Sequence, residues 1–201
     1  SGTLGRLILG FLVNSTQPIK IIGDDSLSRR DFYRVAEPLS KFGVKFKLKK
    51  NKNLPLIISG SSNLKPIKYY EKRGSAQCKS ALIFAGMRTS GTTIIKAKKS
   101  RNHTELLCKY LKLPIKIKKT KHFDFIKIKK IKKIKSLNYK IPSDISSGAF
   151  FIVLTALSKN SKLIIKNVNV NPSRIGIYKI LKRMGINIKF KNKKIYKGEE
   201  M

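Results

Sequence analysis

The sequence predicts a mixed α/β (α+β) fold in which one small unit occurs about three times. Apolar residues follow helical and strand spacing in the order helix, strand, helix, strand, strand, and this order returns after Gly74 and again from Asp144. Gly43 and Gly185, which each end a predicted helix, stand two periods apart, so the repeat is about 71 residues long. The 201 residues, of which 41% are hydrophobic, therefore predict a globular chain of repeated βαβαββ units.

The first unit begins with a helix over residues 1–13 and a short buried strand over residues 19–22. A polar loop, residues 24–28, leads into a second helix that ends at Gly43. Residues 44–49 then alternate strictly between apolar and polar side chains, which predicts a half-exposed strand, with residues 54–59 as its hairpin partner. The apolar positions of the second helix follow the 3.6-residue period: Phe32, Val35, Ala36, Leu39 and Phe42.

The later units repeat this order. The second has helices over residues 74–86 and 101–111 and strands at 92–96, 115–119 and from Phe123, and we expect Leu106, Leu107, Tyr110 and Leu111 to face inward. The third has helices over residues 146–157 and 175–184, a strand at 163–168 and a last strand that alternates through Ile186, Ile188 and Phe190.

The start of the helix after Gly74 predicts an anion-binding site. Glycine, serine and alanine give its first turn little bulk, so an anion can approach the unpaired N–H groups that every helix leaves at its N-terminus. Ser75 and Gln77 add a hydroxyl and an amide that can bind a ligand directly. An ordinary N-cap before a buried helix is the alternative interpretation.

Arginine stands at the start of the second helix of each unit: Arg29 and Arg30, then Arg101, then Arg174. A cation there opposes the helix dipole, so an anionic ligand is one explanation and simple exposure to solvent is the other. His103 is a candidate base, although a histidine at such a position is more often a hydrogen-bonded structural residue.

The formal charge of +36 raises the question of nucleic acid binding. The lysines, however, are spread over the whole chain in company with isoleucine and asparagine, which is typical of an AT-rich genome and requires no polyanionic partner. In the lysine-rich stretch 116–135, we expect Phe123 and Phe125 to enter the core, which leaves no platform for stacking RNA bases. We therefore expect no specific nucleic acid partner.

The remaining composition predicts a soluble, cytoplasmic protein without a membrane segment. Cys78 and Cys108 lack the spacing of a metal site and are expected to be buried free thiols. The chain begins at Ser1 within a helix, so we expect it to be an internal fragment of a longer protein.

Five motifs together resemble the 5-enolpyruvylshikimate-3-phosphate synthase family, also called 3-phosphoshikimate 1-carboxyvinyltransferase. They are Ser1-Gly2-Thr3 with Arg6, Gly23 to Arg30, Gly74 to Ser80, Ser100 to Glu105, and Asp144-Ile145-Ser146-Ser147. The resemblance covers essentially all 201 residues. It implies an enolpyruvyl transferase-like inside-out α/β barrel, with residues 1–139 completing the domain that binds shikimate 3-phosphate and residues 140–201 opening the second domain.

The resemblance also implies roles for single residues. Ser75, Ala76, Gln77, Arg101 and Thr3 would bind shikimate 3-phosphate, whereas Gly2, Arg30 and Gln77 would bind phosphoenolpyruvate. Asp31 stands where the family usually has proline, and Asn102 where it usually has aspartate. Asp31 would then weaken the positive field of Arg30.

The implied reaction transfers the enolpyruvyl group of phosphoenolpyruvate to shikimate 3-phosphate, with no metal or organic cofactor and with a monomeric full-length enzyme. No catalytic acid or base of the family falls within this sequence, so we expect the 201 residues alone to be inactive. Two rivals remain, a related transferase acting on UDP-N-acetylglucosamine and a basic RNA-binding module. Thermal protection by shikimate 3-phosphate, compared with an oligonucleotide, would separate them.

Overall fold

The computed structural model describes all 201 residues. Its helices are α1 (Gly2–Phe11), α2 (Asp25–Ser28), α3 (Tyr33–Ser40), α4 (Ala76–Arg88), α5 (His103–Tyr110), α6 (Ile145–Leu157) and α7 (Gly176–Arg183), and a 3₁₀ turn, Leu12–Asn14, follows α1. Its strands are β1 (Ile19–Ile21), β2 (Lys45–Lys49), β3 (Asn53–Ser59), β4 (Lys68–Glu71), β5 (Thr92–Lys98), β6 (Ile115–Lys119), β7 (Phe123–Lys129), β8 (Ile195–Tyr196) and β9 (Glu199–Glu200). None of the helices is long and apolar enough to cross a membrane.

The chain forms two compact units. Unit 1 comprises residues 1–100 and 112–134, and unit 2 comprises residues 101–111 and 135–201. The boundaries of these units differ from those of the predicted domains 1–139 and 140–201, because α5 belongs to the same unit as the C-terminal residues. The domain assignment itself stays a prediction.

Unit 1 contains two sheets. The first has the order β1-β3-β2 and is antiparallel throughout, which confirms the predicted hairpin of β2 and β3. The second has the order β4-β5-β7-β6, in which only the β4–β5 pair is parallel. Strand β4 was missing from the sequence prediction because its sequence, Lys-Tyr-Tyr-Glu, shows no clear alternation.

Helices α1 and α4 pack against each other in the core of unit 1. A Cβ added at Gly10 of α1 would lie 2.3 Å from the carbonyl oxygen of Ala81 in α4, so only glycine allows the two backbones to come this close. Fully buried side chains surround this contact and extend to both sheets: Leu9, Val13, Phe32, Val35, Leu39, Phe42, Leu56, Ile58, Leu82, Ile83, Ile95, Ile126 and Ile128.

Several local expectations for units 1 and 2 need correction. The predicted polar loop at residues 24–28 contains α2, because the side chain of Asp24 accepts the N–H of Leu27 and caps a helical turn. The strand at 19–22 ends at Ile21 and is only half-buried, and Ile22 is 71% exposed. In α5 the buried residues are Glu105 and Cys108 rather than the predicted leucines and Tyr110, because polar partners of a buried carboxylate leave no trace in apolar periodicity.

Unit 2 contains α5, α6, α7 and the β8–β9 hairpin. Both predicted helices of the third repeat form, but the strands expected at 163–168 and 186–190 do not; a single bridge between Ser143 and Val168 remains. A strand needs a neighbour to pair its backbone groups, and unit 2 offers none at these positions. The apolar residues of α6 accordingly stay exposed, with Phe150 at 80% and Leu157 at 81%.

Candidate anion-binding site

The first turn of α4 is capped by Ser75, which is 7% exposed. Gly74 has a φ of +69°, which turns the chain into the helix, and the Ser75 hydroxyl accepts the N–H of Cys78 at 3.2 Å. The carboxylate of Glu71 fixes the approach to the helix by accepting the N–H groups of Ser75 at 3.0 Å and Arg73 at 3.1 Å. Ser75 is thereby held in place from both sides.

Gln77 connects the start of α4 to the start of α1. Its Nε2 donates to Thr3 Oγ1 at 2.9 Å, and its Oε1 accepts a hydrogen bond from Arg6 Nη1 at 2.8 Å. Two helix N-termini, each with unpaired backbone N–H groups and a positive dipole end, therefore meet around one amide side chain. The hydroxyl of Ser1 caps α1 by accepting the N–H of Leu4 at 3.4 Å.

Three arginines surround this point. Arg6, only 7% exposed, also donates from Nη2 to the carbonyl of Asp31 at 2.9 Å, and Arg34 Nη2 donates to the Ser75 hydroxyl at 2.8 Å. A Cβ on Gly2 would lie 3.0 Å from Arg30 Nη1, so the Arg30 guanidinium lies directly against the glycine backbone.

Carboxylates lie near the three arginines without pairing with them. Asp31 acts on the charge of Arg6, and Glu71 accepts the backbone N–H of Ser75, whose hydroxyl accepts from Arg34. None of Arg6, Arg30 and Arg34 forms an ion pair. Burial lowers the pKa of Arg6, and the charges of Arg34 and Arg30 lower it further, while Asp31 opposes them. Such a cluster repels itself and is stabilised by an anion.

Two buried N–H donors of this cluster are free. The Nε atoms of Arg6 and Arg34 are shielded from solvent and have no hydrogen-bond partner. A buried donor without a partner costs free energy, so it marks a place where a ligand acceptor would be favourable.

Asp31 has a structural task at this site. One oxygen of its carboxylate accepts the N–H of Arg34 at 3.2 Å and so caps α3. The side chain is exposed. The expectation that Asp31 weakens the field of Arg30 stays a prediction.

Unit 1 brings together six of the residues that the sequence analysis singled out: Gly2, Thr3, Arg30, Ser75, Ala76 and Gln77. Arg101 belongs to unit 2, where it is exposed two residues before α5. Sequence reasoning gave no role to Arg6 and Arg34. A signal was present for Arg6, which is a charge within the apolar α1, but Arg34 had no comparable signal.

Two contacts pair polar groups within unit 2, whereas the buried His103 Nε2 has no partner. Arg174 Nη2 contacts Asp144 at 2.5 Å and the Ser146 hydroxyl at 2.6 Å, so its charge is neutralised within the unit. His103 Nδ1 lies 2.7 Å from the carboxylate of Glu199. That contact agrees with a hydrogen-bonded structural histidine.

Both cysteines are free and buried, as expected. Burial raises the pKa of Cys78 and of Cys108 to about 12 in each case, so neither thiol ionises near neutral pH.

The fold is that of the enolpyruvyl transferases. An EPSP synthase from Acinetobacter baumannii superposes with a TM-score of 0.82 at 33% identity, over 100% of this chain and 44% of that protein. The enolpyruvyl transferase NikO from Streptomyces tendae has a TM-score of 0.65 at 14% identity, covers 96% of this chain and 45% of its own, and supports the fold alone.

The family model for EPSP synthase (3-phosphoshikimate 1-carboxyvinyltransferase) matches residues 1–200, so the chain belongs to the EPSP synthase family. The 3-phosphoshikimate 1-carboxyvinyltransferase of Caldicellulosiruptor bescii is 45% identical over 203 residues, which cover 99% of this chain and 46% of the relative. That of Leuconostoc mesenteroides is 41% identical over 189 residues, which cover 94% and 43%. The chain thus spans just under half the length of the curated relatives it matches, and the resemblance read from the motifs is confirmed.

Proposed function

We propose that the whole protein transfers the enolpyruvyl group of phosphoenolpyruvate to the 5-hydroxyl of shikimate 3-phosphate and releases phosphate, a step toward chorismate and the aromatic amino acids. The observation that carries the proposal is the cluster of Arg6, Arg30 and Arg34, none of which forms an ion pair, at the joined starts of α1 and α4. Both substrates are anions with phosphate or carboxylate groups, which guanidinium binds through two parallel hydrogen bonds.

We assign different residues of this site to the two substrates. Gly2 and Arg30 bind phosphoenolpyruvate, since the missing side chain of Gly2 leaves the Arg30 guanidinium accessible. Ser75, Ala76 and Thr3 bind shikimate 3-phosphate. The assignment of Arg101, a residue of unit 2, to the same substrate rests on the family resemblance alone. Gln77 contacts both substrates, because its amide stands between the two helix starts.

Arg6 and Arg34 are positioning residues in this proposal. Arg6 donates to Oε1 of Gln77, so the amide keeps its NH₂ group toward Thr3. Arg34 donates to the hydroxyl of Ser75 and orients it at the cap of α4. Both arginines also contribute positive potential to the place where the substrate phosphate binds.

The chemistry requires groups beyond this chain. The 5-hydroxyl attacks C2 of phosphoenolpyruvate and gives its proton to a base while an acid protonates C3. The tetrahedral intermediate then loses phosphate and a proton from C3, which restores the carbon–carbon double bond. Residues 1–139 complete the shikimate 3-phosphate domain in this proposal, and residues 140–201 begin the domain that supplies acid and base groups. Lost acid–base groups cost about 10²- to 10⁴-fold in rate for each role, so the 201 residues alone should fail to complement a shikimate-pathway auxotroph.

The test is thermal unfolding of the chain with and without ligand. Shikimate 3-phosphate should raise the midpoint, because a ligand that binds only the folded state stabilises it, whereas shikimate without its phosphate and UDP-N-acetylglucosamine should not. Gln77→Ala should abolish the protection, and Gln17→Ala, which removes the exposed amide near β1, should retain it. Equal protection by the uridine nucleotide would favour the rival transferase, and protection that survives Gln77→Ala would contradict the site.

A further inference from the structure

The outer face of the four-stranded sheet, on the side away from α4, carries a cluster of aromatic rings. Tyr70 of β4 meets Phe123 of β7 edge to face with ring centroids 5.8 Å apart, and Tyr70 is 43% exposed. Lys96 Nζ of β5 lies 5.0 Å from the centroid of Tyr70, 4.6 Å from Phe123 and 5.9 Å from Phe125. Three rings from two strands thus share one half-exposed surface.

This surface corrects the expectation that Phe123 and Phe125 enter the core. Asp124, Ile126 and Ile128 take the inner face of β7 instead and are buried, which leaves both phenylalanines on the outer face by the period of two. The third ring comes from β4, a strand that the sequence did not predict. The outer face of this sheet therefore carries three aromatic rings, of which Tyr70 is exposed and Phe123 and Phe125 are half-buried.

The charge around the rings has one sign. The cross-strand register places seven lysines on the outer face and no acidic residue, since Glu71 and Asp124 lie on the inner one. The lysines are Lys68, Lys96, Lys98, Lys116, Lys118, Lys127 and Lys129.

The three-stranded sheet provides an internal reference. Its outer face carries Lys20, Lys45 and Lys47 around Ile57 and Ser59, with no aromatic ring. Lysine is therefore common to both sheets, as a genome-wide composition would produce, but rings joined with lysines occur only on the four-stranded one. The case for a binding surface therefore rests on aromatic rings beside lysines and not on the positive charge alone.

We propose that the outer face of the β4-β5-β7-β6 sheet binds single-stranded nucleic acid. Bases stack on Tyr70, Phe123 and Phe125, and the surrounding lysines contact the phosphates; Lys96, on its flexible stem, moves from the rings to the backbone as a base enters. A four-stranded sheet with two or three accessible rings is a known solution for binding unpaired bases, because every base has a face that stacks. Here Tyr70 is exposed, and Phe123 and Phe125 are half-buried. This function is separate from the anion site and does not depend on it.

The test compares two labelled single strands of about 12 units by fluorescence anisotropy, an oligouridylate and an abasic sugar–phosphate chain of equal charge. The wild-type chain should bind the oligouridylate about tenfold more tightly, because only that strand can stack. Tyr70→Leu/Phe123→Leu should remove this difference and leave abasic affinity unchanged. Unfolding midpoints and circular dichroism check that the variant folds, and Tyr70→Leu alone, at an exposed position, serves if the double variant does not.

Lysine substitutions in each sheet test which of the two sheets binds the strands. Lys116→Ala/Lys118→Ala should weaken both strands about threefold or more and reduce the salt dependence, whereas Lys45→Ala/Lys47→Ala should change either affinity by less than twofold. Oligothymidylate tests the sugar: equal binding assigns the surface to both kinds of single strand, and weaker binding assigns it to RNA. Equal affinity for base-bearing and abasic strands, or tighter binding of a duplex of the same charge, would overturn the proposal in favour of a nonspecific polyanion surface.

Discussion

The starts of α4 in unit 1 and α6 in unit 2 are built alike and differ in charge. Each begins a helix of 13 residues, and each has a side-chain cap. An arginine contacts each cap: Arg34 of α3 contacts Ser75, and Arg174, which precedes α7, contacts Asp144. At α4 the cap is the neutral Ser75, and Arg34, which donates to its hydroxyl, forms no ion pair, although the Glu71 carboxylate accepts the Ser75 N–H at 3.0 Å. At α6 the cap is Asp144, which pairs with Arg174 at 2.5 Å.

The comparison indicates that a helix start can bind an anion only where an ion pair within the protein has not already neutralised its positive charge. Partial burial would raise the pKa of Asp144, but the Ser146 N–H and the Arg174 charge outweigh it and the pKa falls below the ordinary value. The α6 start is thus a closed ion pair. At the α4 start, the Nε atoms of Arg6 and Arg34 are buried and have no hydrogen-bond partner within the protein.

The largest expected effect tests the packing that joins α4 to α1. Gly10→Ala would place a methyl group 2.3 Å from the Ala81 carbonyl and force the helices apart, so we expect a loss of about 3 kcal/mol in the free energy of unfolding. Gly176→Ala in α7 is the matched control, since nothing lies within 4 Å of its Cβ position; it should stabilise slightly. Urea unfolding measures both, and an equal response of the two variants would refute the close contact.

The next effect concerns Arg30. In the whole protein, Arg30→Ala should lose about 1.5 to 3 kcal/mol of charged hydrogen bonding, or roughly tenfold to a hundredfold in phosphoenolpyruvate affinity, with little change for shikimate 3-phosphate alone.

Two control variants accompany it in a calorimetric titration. Arg29→Ala removes the exposed neighbour, and Arg174→Ala removes the ion-paired arginine of unit 2; both should retain wild-type affinity. If all three variants weaken phosphoenolpyruvate equally, general charge rather than the Arg30 contact is responsible.

Glu199 gives a pH-dependent effect in unit 2. Burial raises its pKa, but hydrogen bonds from His103 and Asn169 outweigh burial, so the folded pKa lies below the ordinary value of 4.5. Its contribution to stability is therefore present above about pH 4.5 and is lost as the pH falls through the folded pKa.

Glu199→Gln should cost about 1.5 kcal/mol at pH 7 and progressively less toward pH 3. Urea unfolding at the two pH values measures the difference between variant and wild type. A cost that stays constant with pH would show that the carboxylate charge is irrelevant.

The smallest effect compares the caps themselves. Ser75→Ala and Asp144→Ala should each destabilise by about 1 kcal/mol, because each removes an acceptor for a backbone N–H at a helix start. Only Ser75→Ala should also lower affinity for shikimate 3-phosphate. A matching loss of ligand affinity in Asp144→Ala would erase the distinction between the two starts.

The sequence predicted the local elements better than the surfaces they form. Gly43, with a φ of +96°, lies in the turn after α3, and Gly74 precedes α4, because one or two residues are enough to specify a turn. The side taken by Phe123 and the strand β4 were missed because strand pairing decides them. The buried face of α5 was missed because Glu105 is polar and so does not contribute to apolar periodicity. The same limit applies to the site. The local sequence predicted Ser75 and Gln77, whereas the roles of Arg6 and Arg34 depend on contacts with residues 71 and 41 positions away in sequence.

The most direct test converts the start of α4 into the kind found at α6. Ser75→Asp keeps a good N-cap, so the unfolding free energy should stay within about 1 kcal/mol of wild type, while the new carboxylate pairs with Arg34 and repels a phosphate. Calorimetric titration of the whole protein with shikimate 3-phosphate should then show an affinity loss of about a hundredfold. Wild-type affinity in a stably folded Ser75→Asp protein would contradict the claim that the charge at this helix start, which no ion pair neutralises, is the substrate site.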